Sequence, residues 1–189
     1  LGDVYKRQVL DSVMIFTAYD TLMNQRTWYT NGSAAGTDTL IYNFQNEGVD
    51  NPTNFTRLQD KVLFSATTST NGFELWVTDG THCGTMLLKD INNTPLFRSS
   101  NPDNFLNVAD TVVYFVANGG VGGAVNGQLW KTDGTEMGTV QVLDTVDIQD
   151  DFLIEINGML YFLADNAVNG TELWKSDGTR AGTELVKDL

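Results

Sequence analysis

Apolar residues along this chain fall into short runs that return at a nearly constant interval. The segments DSVMIF from Asp11, DKVLFS from Asp60, DTVVYF from Asp110 and NGMLYF from Asn157 begin 49, 50 and 47 residues apart. Each is almost continuously apolar, whereas a strand with one wet face would alternate, so each predicts a strand covered on both faces. A second run follows that does alternate. It places Glu74, Trp76 and Thr78 on one face and Leu75 and Val77 on the other, and Trp174 with Glu172 and Ser176 by the same count. In the second copy the full set of strand candidates is Asn54 to Leu58, Val62 to Thr67, Phe73 to Thr78 and Thr85 to Ile91. They are separated by Gln59-Asp60-Lys61, by the Ser69 to Gly72 loop and by the Asp79 to Gly84 turn. Four strands in a period of about 50 residues is the size of one β-propeller blade.

The polar residues repeat as strictly as the apolar ones. All four tryptophans, Trp28, Trp76, Trp130 and Trp174, sit in one phrase: WYTNGSAAGT, WVTDGTHCGT, WKTDGTEMGT and WKSDGTRAGT. Three residues after each comes Asn31, Asp79, Asp133 or Asp177, followed at once by Gly32, Gly80, Gly134 or Gly178. A second glycine, Gly36, Gly84, Gly138 or Gly182, lies five residues beyond the Asp or Asn, with Thr37, Thr85, Thr139 or Thr183 after it. Asp and Asn side chains bond to backbone N–H groups two residues on, and glycine tolerates positive φ, so the phrase predicts a chain reversal between third and fourth strands. Asn31 makes the same turn without a charge, which argues against a carboxylate-dependent metal site there. The alternation places each Trp between blades, where its indole N–H is expected near a polar side chain.

The segments ELWVTDGT (Glu74 to Thr81) and ELWKSDGT (Glu172 to Thr179), with GQLWKTDGT ending at Thr135, resemble the ELWxxDGT repeat family of bacterial secreted or surface proteins. The match covers nearly everything after Gln8. It implies a propeller-like fold and a secreted or cell-surface location. The first copy departs from it, with Arg26-Thr27 in place of Glu-Leu and with Asn31 and Ser33 in place of Asp and Thr.

Composition narrows the function classes. With 41% apolar and 11% aromatic residues the chain can bury a core, and its net charge of −13 repels a phosphate backbone or an anionic membrane surface. No nucleic acid partner and no membrane insertion are therefore expected, the longest apolar runs falling far short of the roughly 20 residues a spanning helix needs. One Cys and one His exclude a disulfide framework and a zinc site built from several such ligands.

The remaining candidates for chemistry are weak. His82 and Cys83 are adjacent, yet they fill the variable turn positions occupied elsewhere by Ala34-Ala35, Glu136-Met137 and Arg180-Ala181, which marks them as passive. A sialidase-like site needs convergent arginines, whereas Arg26, Arg57, Arg98 and Arg180 occupy four unlike positions of the repeat. Asp144, Asp147, Asp150 and Asp151, and separately Asp165, Asn166, Asn169 and Glu172, offer oxygen ligands for calcium but match no EF-hand, and they read as solvated acidic loops. Sequons begin at Asn31, Asn54, Asn92 and Asn169, all turn-forming residues. No catalytic residue, metal ligand or cofactor is expected.

The sequence thus predicts an all-β, β-propeller-like array of four-stranded antiparallel blades, an open fragment of a larger propeller. Residues 1–8 (LGDVYKRQ) resemble a translated sequencing-adapter stretch and are set apart as an artefact leader. Blade 1 takes 9–50 and lacks its first strand; blade 2 takes 51–100, blade 3 101–146 and blade 4 147–189. The expected function is a non-enzymatic repeat scaffold of a secreted or cell-surface bacterial protein, with a protein or glycan ligand met by variable loops such as Pro95 to Ser100 and Asn118 to Asn126. Missing blades of the same polypeptide are expected as further partners. The alternative is a propeller glycoside hydrolase or lyase whose catalytic residues lie outside this chain.

Overall fold

A computed structural model describes residues 7–40, 49–68, 70–93, 99–119 and 127–188, without the side chains of 150–152. Among the described residues sixteen strands form four successive antiparallel units. Blade 1 holds β1 (Arg7–Leu10), β2 (Val13–Tyr19), β3 (Gln25–Thr30) and β4 (Thr37–Thr39), and blade 2 holds β5 (Asp50–Leu58), β6 (Lys61–Thr67), β7 (Glu74–Thr78) and β8 (Met86–Lys89). Blade 3 follows with β9 (Asp103–Val108), β10 (Val112–Ala117), β11 (Gln128–Thr132) and β12 (Val140–Leu143). Blade 4 ends the array with β13 (Asp147–Ile156), β14 (Met159–Asp165), β15 (Thr171–Ser176) and β16 (Thr183–Lys187). Within each blade the strands pair in chain order, and a single bridge, Arg26 to Asp50, joins the sheets of blades 1 and 2.

The first blade corrects one expectation. It has its first strand: β1 pairs β2 with Arg7 opposite Phe16 and Leu10 opposite Val13, so Arg7 and Gln8 of the leader belong to the sheet. The backbone at these positions finds a free edge of β2 to pair with, whatever the side chains are.

The first strands of consecutive blades, β1, β5, β9 and β13, lie beside one another, which puts them innermost. Side chains tie them together. Gln8 Nε2 donates to the Phe55 carbonyl at 2.9 Å and Asn54 Nδ2 to the Pro102 carbonyl at 3.2 Å. Asn54 and Asn104, at matching places in β5 and β9, both have positive φ and mark a shift of register in their ladders.

The core is three inter-blade layers. Ile15 and Leu40 of blade 1 meet Val62, Phe64, Ala66 and Trp76 of blade 2; Leu63, Leu75 and Val77 of blade 2 meet Val113, Phe115, Ala117 and Trp130 of blade 3; Tyr114 and Leu129 of blade 3 meet Leu160, Phe162 and Ala164 of blade 4, with Trp174 beside them. Each blade therefore presents its Trp face to the blade before it. No core cluster among the described residues joins blade 4 to blade 1, so the array is open.

That openness explains a second departure. The second strands were expected to be covered on both faces in every copy, and β6 and β10 are. In β14, by contrast, buried Leu160, Phe162 and Ala164 alternate with half-exposed Met159, Tyr161 and Leu163, and β2 buries only Ile15. An end blade has one neighbour, so one of its two apolar faces stays wet.

Candidate functional site

Among the described residues all four blades build the same turn, and its hydrogen bonds account for its recurring Asp or Asn and hydroxyl residues. In blade 2 the Asp79 carboxylate accepts from the Thr81 backbone N–H at 2.9 Å and from the Thr81 hydroxyl at 2.7 Å. That hydroxyl in turn accepts from the Gly84 N–H at 3.0 Å. The Thr85 hydroxyl donates to the Thr81 carbonyl at 2.7 Å, which leaves Thr78 the donor in its 2.7 Å contact with Thr85, and the Thr78 oxygen accepts the Gly80 N–H at 3.0 Å. Every hydroxyl thus donates once and accepts at least once. The same links recur around Asp133 and Asp177 and, with the Asn31 amide oxygen in place of a carboxylate, around Asn31.

The two glycines serve different needs. Gly32, Gly80, Gly134 and Gly178 have φ of +89°, +87°, +85° and +83°, a conformation that side chains disfavour. Gly36, Gly84, Gly138 and Gly182 have no such φ; a Cβ there would lie only 2.0–2.1 Å from the Asn or Asp Oδ1 of the same turn. The second glycine makes room for the side chain that closes the turn. Thr135 and Thr179, through their hydroxyls first and their backbone N–H groups next, hold the Asp133 and Asp177 carboxyls below the usual carboxylate range.

Trp28, Trp76 and Trp174 donate their indole N–H to the backbone carbonyls of Ala18, Ala66 and Ala164 at 3.1, 3.0 and 3.1 Å. The expected polar side-chain partner is thus replaced by backbone. The Trp stands opposite a Phe of the second strand, so its ring reaches the next residue on the same face, two positions further along, whose carbonyl lies at the indole edge. Trp130 stands opposite Phe115 in the same way, so the matching residue is Ala117, but the buried Trp130 Nε1 has no hydrogen-bond partner among the described residues.

The position two residues before Trp28, Trp76 and Trp130 ties strand three to the chain around it, in blade 1 as far as the first strand of blade 2, and sequence reasoning missed this role. In blade 2 it is Glu74, fully buried, whose carboxylate accepts from the N–H groups of Ile91 at 2.8 Å and Ser100 at 2.9 Å and from the Ser100 hydroxyl at 2.6 Å. Burial pushes the Glu74 carboxyl up, against the pull of those bonds. In blade 1 the same position is Arg26, which pairs with Asp50 and, at 3.2 Å, with Asp20. Asp20 is held down to about 2, chiefly by the Asn24 backbone N–H, with the Arg26 side chain adding to it, while burial pushes Asp50 up. In blade 3 it is Gln128, whose Oε1 accepts from Gly119 N–H at 2.8 Å and Gln141 Nε2 at 2.6 Å. The charge changes sign between copies, yet the position keeps tying strand three to neighbouring backbone and side chains.

The other nominated residues are scattered. His82 lies edge-on to Tyr29 of blade 1 at 5.7 Å between ring centroids, and Cys83 is exposed. Asp144 pairs with Arg180 at 2.6 Å, Asp147 accepts from the Gly127 N–H at 2.7 Å and Asp165 from the Ala167 N–H at 2.6 Å. Among the described residues no three His, Cys, Asp or Glu side chains converge as metal ligands, and no helix is long and apolar enough to cross a membrane. Of the two loops nominated for recognition, 94–98 and 120–126 fall outside the described residues; Ser100, at the end of the first, is buried against Glu74 rather than displayed. Asn92, one of the sequon residues, is buried too.

Solved structures share this arrangement. Pyrococcus horikoshii acylaminoacyl peptidase matches 97% of the chain with a TM-score of 0.58 at 13% identity, and 26% of that protein is covered. A puromycin hydrolase matches 95% of the chain, with 28% of its own length covered, at a TM-score of 0.55 and 13% identity. The fold is a β-propeller. A puromycin-hydrolyzing peptidase of Mycobacterium tuberculosis gives the same TM-score at 9% identity, over 94% of this chain and 27% of that one. The propeller array seen here thus spans about a quarter of the length of these structures. No known family and no curated protein matches the sequence.

Proposed function

We propose that this propeller array is a non-catalytic scaffold of a secreted or cell-surface bacterial protein that presents residues for recognition of a protein or glycan. One observation carries the reading: the recurring Asp and Thr side chains are consumed inside their own turns, whereas the pair that differs from copy to copy sits at the turn's tip. Ala34-Ala35, Glu136-Met137 and Arg180-Ala181 are exposed, as is Cys83, and Met137 is 92% exposed. A rigid turn with a changing tip suits display, because hydrogen-bonded backbone pre-orders the contact residues and reduces the entropy lost on binding. The acidic charge, the single cysteine and the resemblance to the ELWxxDGT repeats support an extracytoplasmic setting.

The test is a glycan array and a labelled-polysaccharide turnover assay on the full chain. Binding without turnover is expected. Replacing His82-Cys83, Glu136-Met137 and Arg180-Ala181 by the Ala-Ala pair of blade 1 should abolish binding while lowering the thermal midpoint only slightly, through loss of the exposed Arg180–Asp144 pair and the His82–Tyr29 contact. Hydrolysis of any substrate by the chain, or binding indifferent to the tips, would refute the reading.

A further inference from the structure

The three internal blade junctions share one plan and differ in polarity. At each, the first glycine of a turn lies against the blade before. A Cβ on Gly80 would lie 3.5 Å from Val13 and 3.9 Å from Leu10, and one on Gly134 3.3 Å from Leu58 and 4.0 Å from the aliphatic stem of Lys61, so these two junctions are apolar at this place. At the third, a Cβ on Gly178 would lie 2.0 Å from the Tyr114 hydroxyl, and Lys131 Nζ donates to the Gly178 carbonyl at 2.9 Å. Tyr114 and Lys131 stand directly opposite each other on β10 and β11, where the matching pairs are Ile15 with Tyr29 in blade 1 and Leu63 with Val77 in blade 2. Blade 4 repeats the pair as Tyr161 and Lys175, but there Glu184 takes the ammonium at 2.9 Å.

The Tyr114 ring is buried, at 9% exposure, yet among the described residues its hydroxyl bonds to no protein group. That hydroxyl is not sealed in, since among the described residues the one side-chain atom both fully enclosed and unpartnered is Trp130 Nε1. Burial pushes the phenol up and the Asp177 charge adds to it, so the group is a proton donor throughout the neutral range. Lys131 spends one of its ammonium donors on Gly178 and keeps the others. Beside them the exposed Asp177 carboxylate, closed into its own turn by Thr179, feels the Lys131 charge. Opposite charges side by side leave the cluster near neutral, and the net charge of −13 on the whole chain repels an anionic ligand. A hydroxyl can accept from Tyr114 or Lys131 while turning its own proton toward the Asp177 charge, whereas a peptide carbonyl can only accept.

We infer that the junction of blades 3 and 4 is a binding site for a neutral glycan, whose hydroxyl oxygens accept from the Tyr114 hydroxyl and the Lys131 ammonium beside Gly178. Resting on the recognition scaffold proposed above, this site gives that scaffold a ligand class. It also places the contact in the same turn as the variable pair Arg180-Ala181. Tyr114 and Lys131 belong, like that pair, to positions that change from copy to copy.

Isothermal titration of the whole chain with cellohexaose, mannohexaose and xylohexaose tests the site, with hexagalacturonate as the acidic probe and a blocked alanine–glycine hexapeptide as the peptide probe. At least one neutral sugar should bind, and the acidic and peptide probes should not. Tyr114→Phe removes a hydroxyl that bonds to no described group of the protein, so it should weaken binding about 2- to 10-fold while the thermal midpoint stays where it is. Lys131→Met should weaken binding about 10-fold or more, with near-ultraviolet circular dichroism as the check on folding because its bond to Gly178 is lost as well. Lys61→Met, at the lysine beside Gly134, should leave binding unchanged. Binding lost when the turn tips are replaced but intact in Tyr114→Phe and Lys131→Met would overturn this site and leave the recognition scaffold standing; binding lost in those two variants but indifferent to the tips would do the reverse. No binding of any neutral sugar, a preference for hexagalacturonate or the peptide, or an equal loss in Lys61→Met would each overturn the proposal.

Discussion

Replacing Gly138 by alanine isolates the reason for the second glycine of the turn. The backbone there does not require positive φ, so alanine costs nothing through conformation and should gain about 0.4–1 kcal/mol by restricting the unfolded chain. Against this, the new Cβ would fall 2.0 Å from Asp133 Oδ1 and 2.2 Å from its Cγ. The carboxylate must swing out, losing its bonds to the Thr135 N–H at 2.9 Å and hydroxyl at 2.7 Å. Two such bonds contribute about 0.5–1.5 kcal/mol each, and solvent exposure keeps them toward the lower end. The net loss should be about 0.5–2 kcal/mol, read by urea denaturation followed through tryptophan fluorescence, or about 1–8 °C in the thermal midpoint. The decisive measurement is a double-mutant cycle with Asp133→Ala. Without the carboxylate nothing collides, so Gly138→Ala should become neutral or stabilising. Equal cost in both backgrounds would refute the reasoning. Gly134→Ala is the control: its φ of +85° penalises alanine by roughly 1–2 kcal/mol whether or not Asp133 is present.

Other residues of the repeat give further expectations. Thr132→Val leaves the buried Gly134 N–H without its acceptor and should cost about 1–3 kcal/mol by chemical denaturation, whereas Thr132→Ser, the residue blade 4 has at Ser176, should cost under about 1 kcal/mol. Trp76→Phe opens a void and frees the Ala66 carbonyl, for a loss of about 2–4 kcal/mol; Trp28→Phe, on the open face, should lose less than half as much in the same assay. Asp133 and Asp177 are held below their unfolded value of 3.8, so their contribution to stability is complete above that pH and is lost as pH falls through the folded values. Asp133→Asn with Asp177→Asn should therefore keep neutral-pH stability, as Asn31 keeps the first turn, and flatten the acid limb of a stability–pH profile. An unchanged acid limb would show that these carboxylates do not contribute to it.

The two middle strands of blade 2 were legible to within a residue, because apolar runs and turn signals both mark them and neighbours on either side enforce the pattern, whereas the first begins at Asp50, four residues before the expected Asn54, and the last ends at Lys89 rather than Ile91. The turn was legible as a turn, and Asn31 for Asp correctly signalled a role that needs an oxygen acceptor rather than a charge. Why the second glycine recurs was not legible, since spacing alone does not reveal that the Asp side chain folds back over it. The link formed by Arg26, Glu74 and Gln128 stayed hidden for a different reason. Its residues differ in charge, and what they share is a set of neighbouring groups, in blade 2 as many as 26 residues away, that only the folded chain brings near. A hydroxyl two residues after each Trp, in Thr30, Thr78, Thr132 and Ser176, was a visible signal that the turn extends back into the strand.

Strict recurrence in this chain is a mark of architecture rather than of chemistry. Asp133 and Asp177 accept from their own turns, Glu74 is saturated by neighbouring donors, and the indoles of Trp28, Trp76 and Trp174 end on backbone carbonyls. A side chain whose bonds are all internal cannot turn to a ligand without breaking the turn that holds it, and in blades 2 to 4 the first glycine of that turn, Gly80, Gly134 or Gly178, packs against the blade before. On the proposed reading, recognition then falls to positions the repeat leaves free to vary.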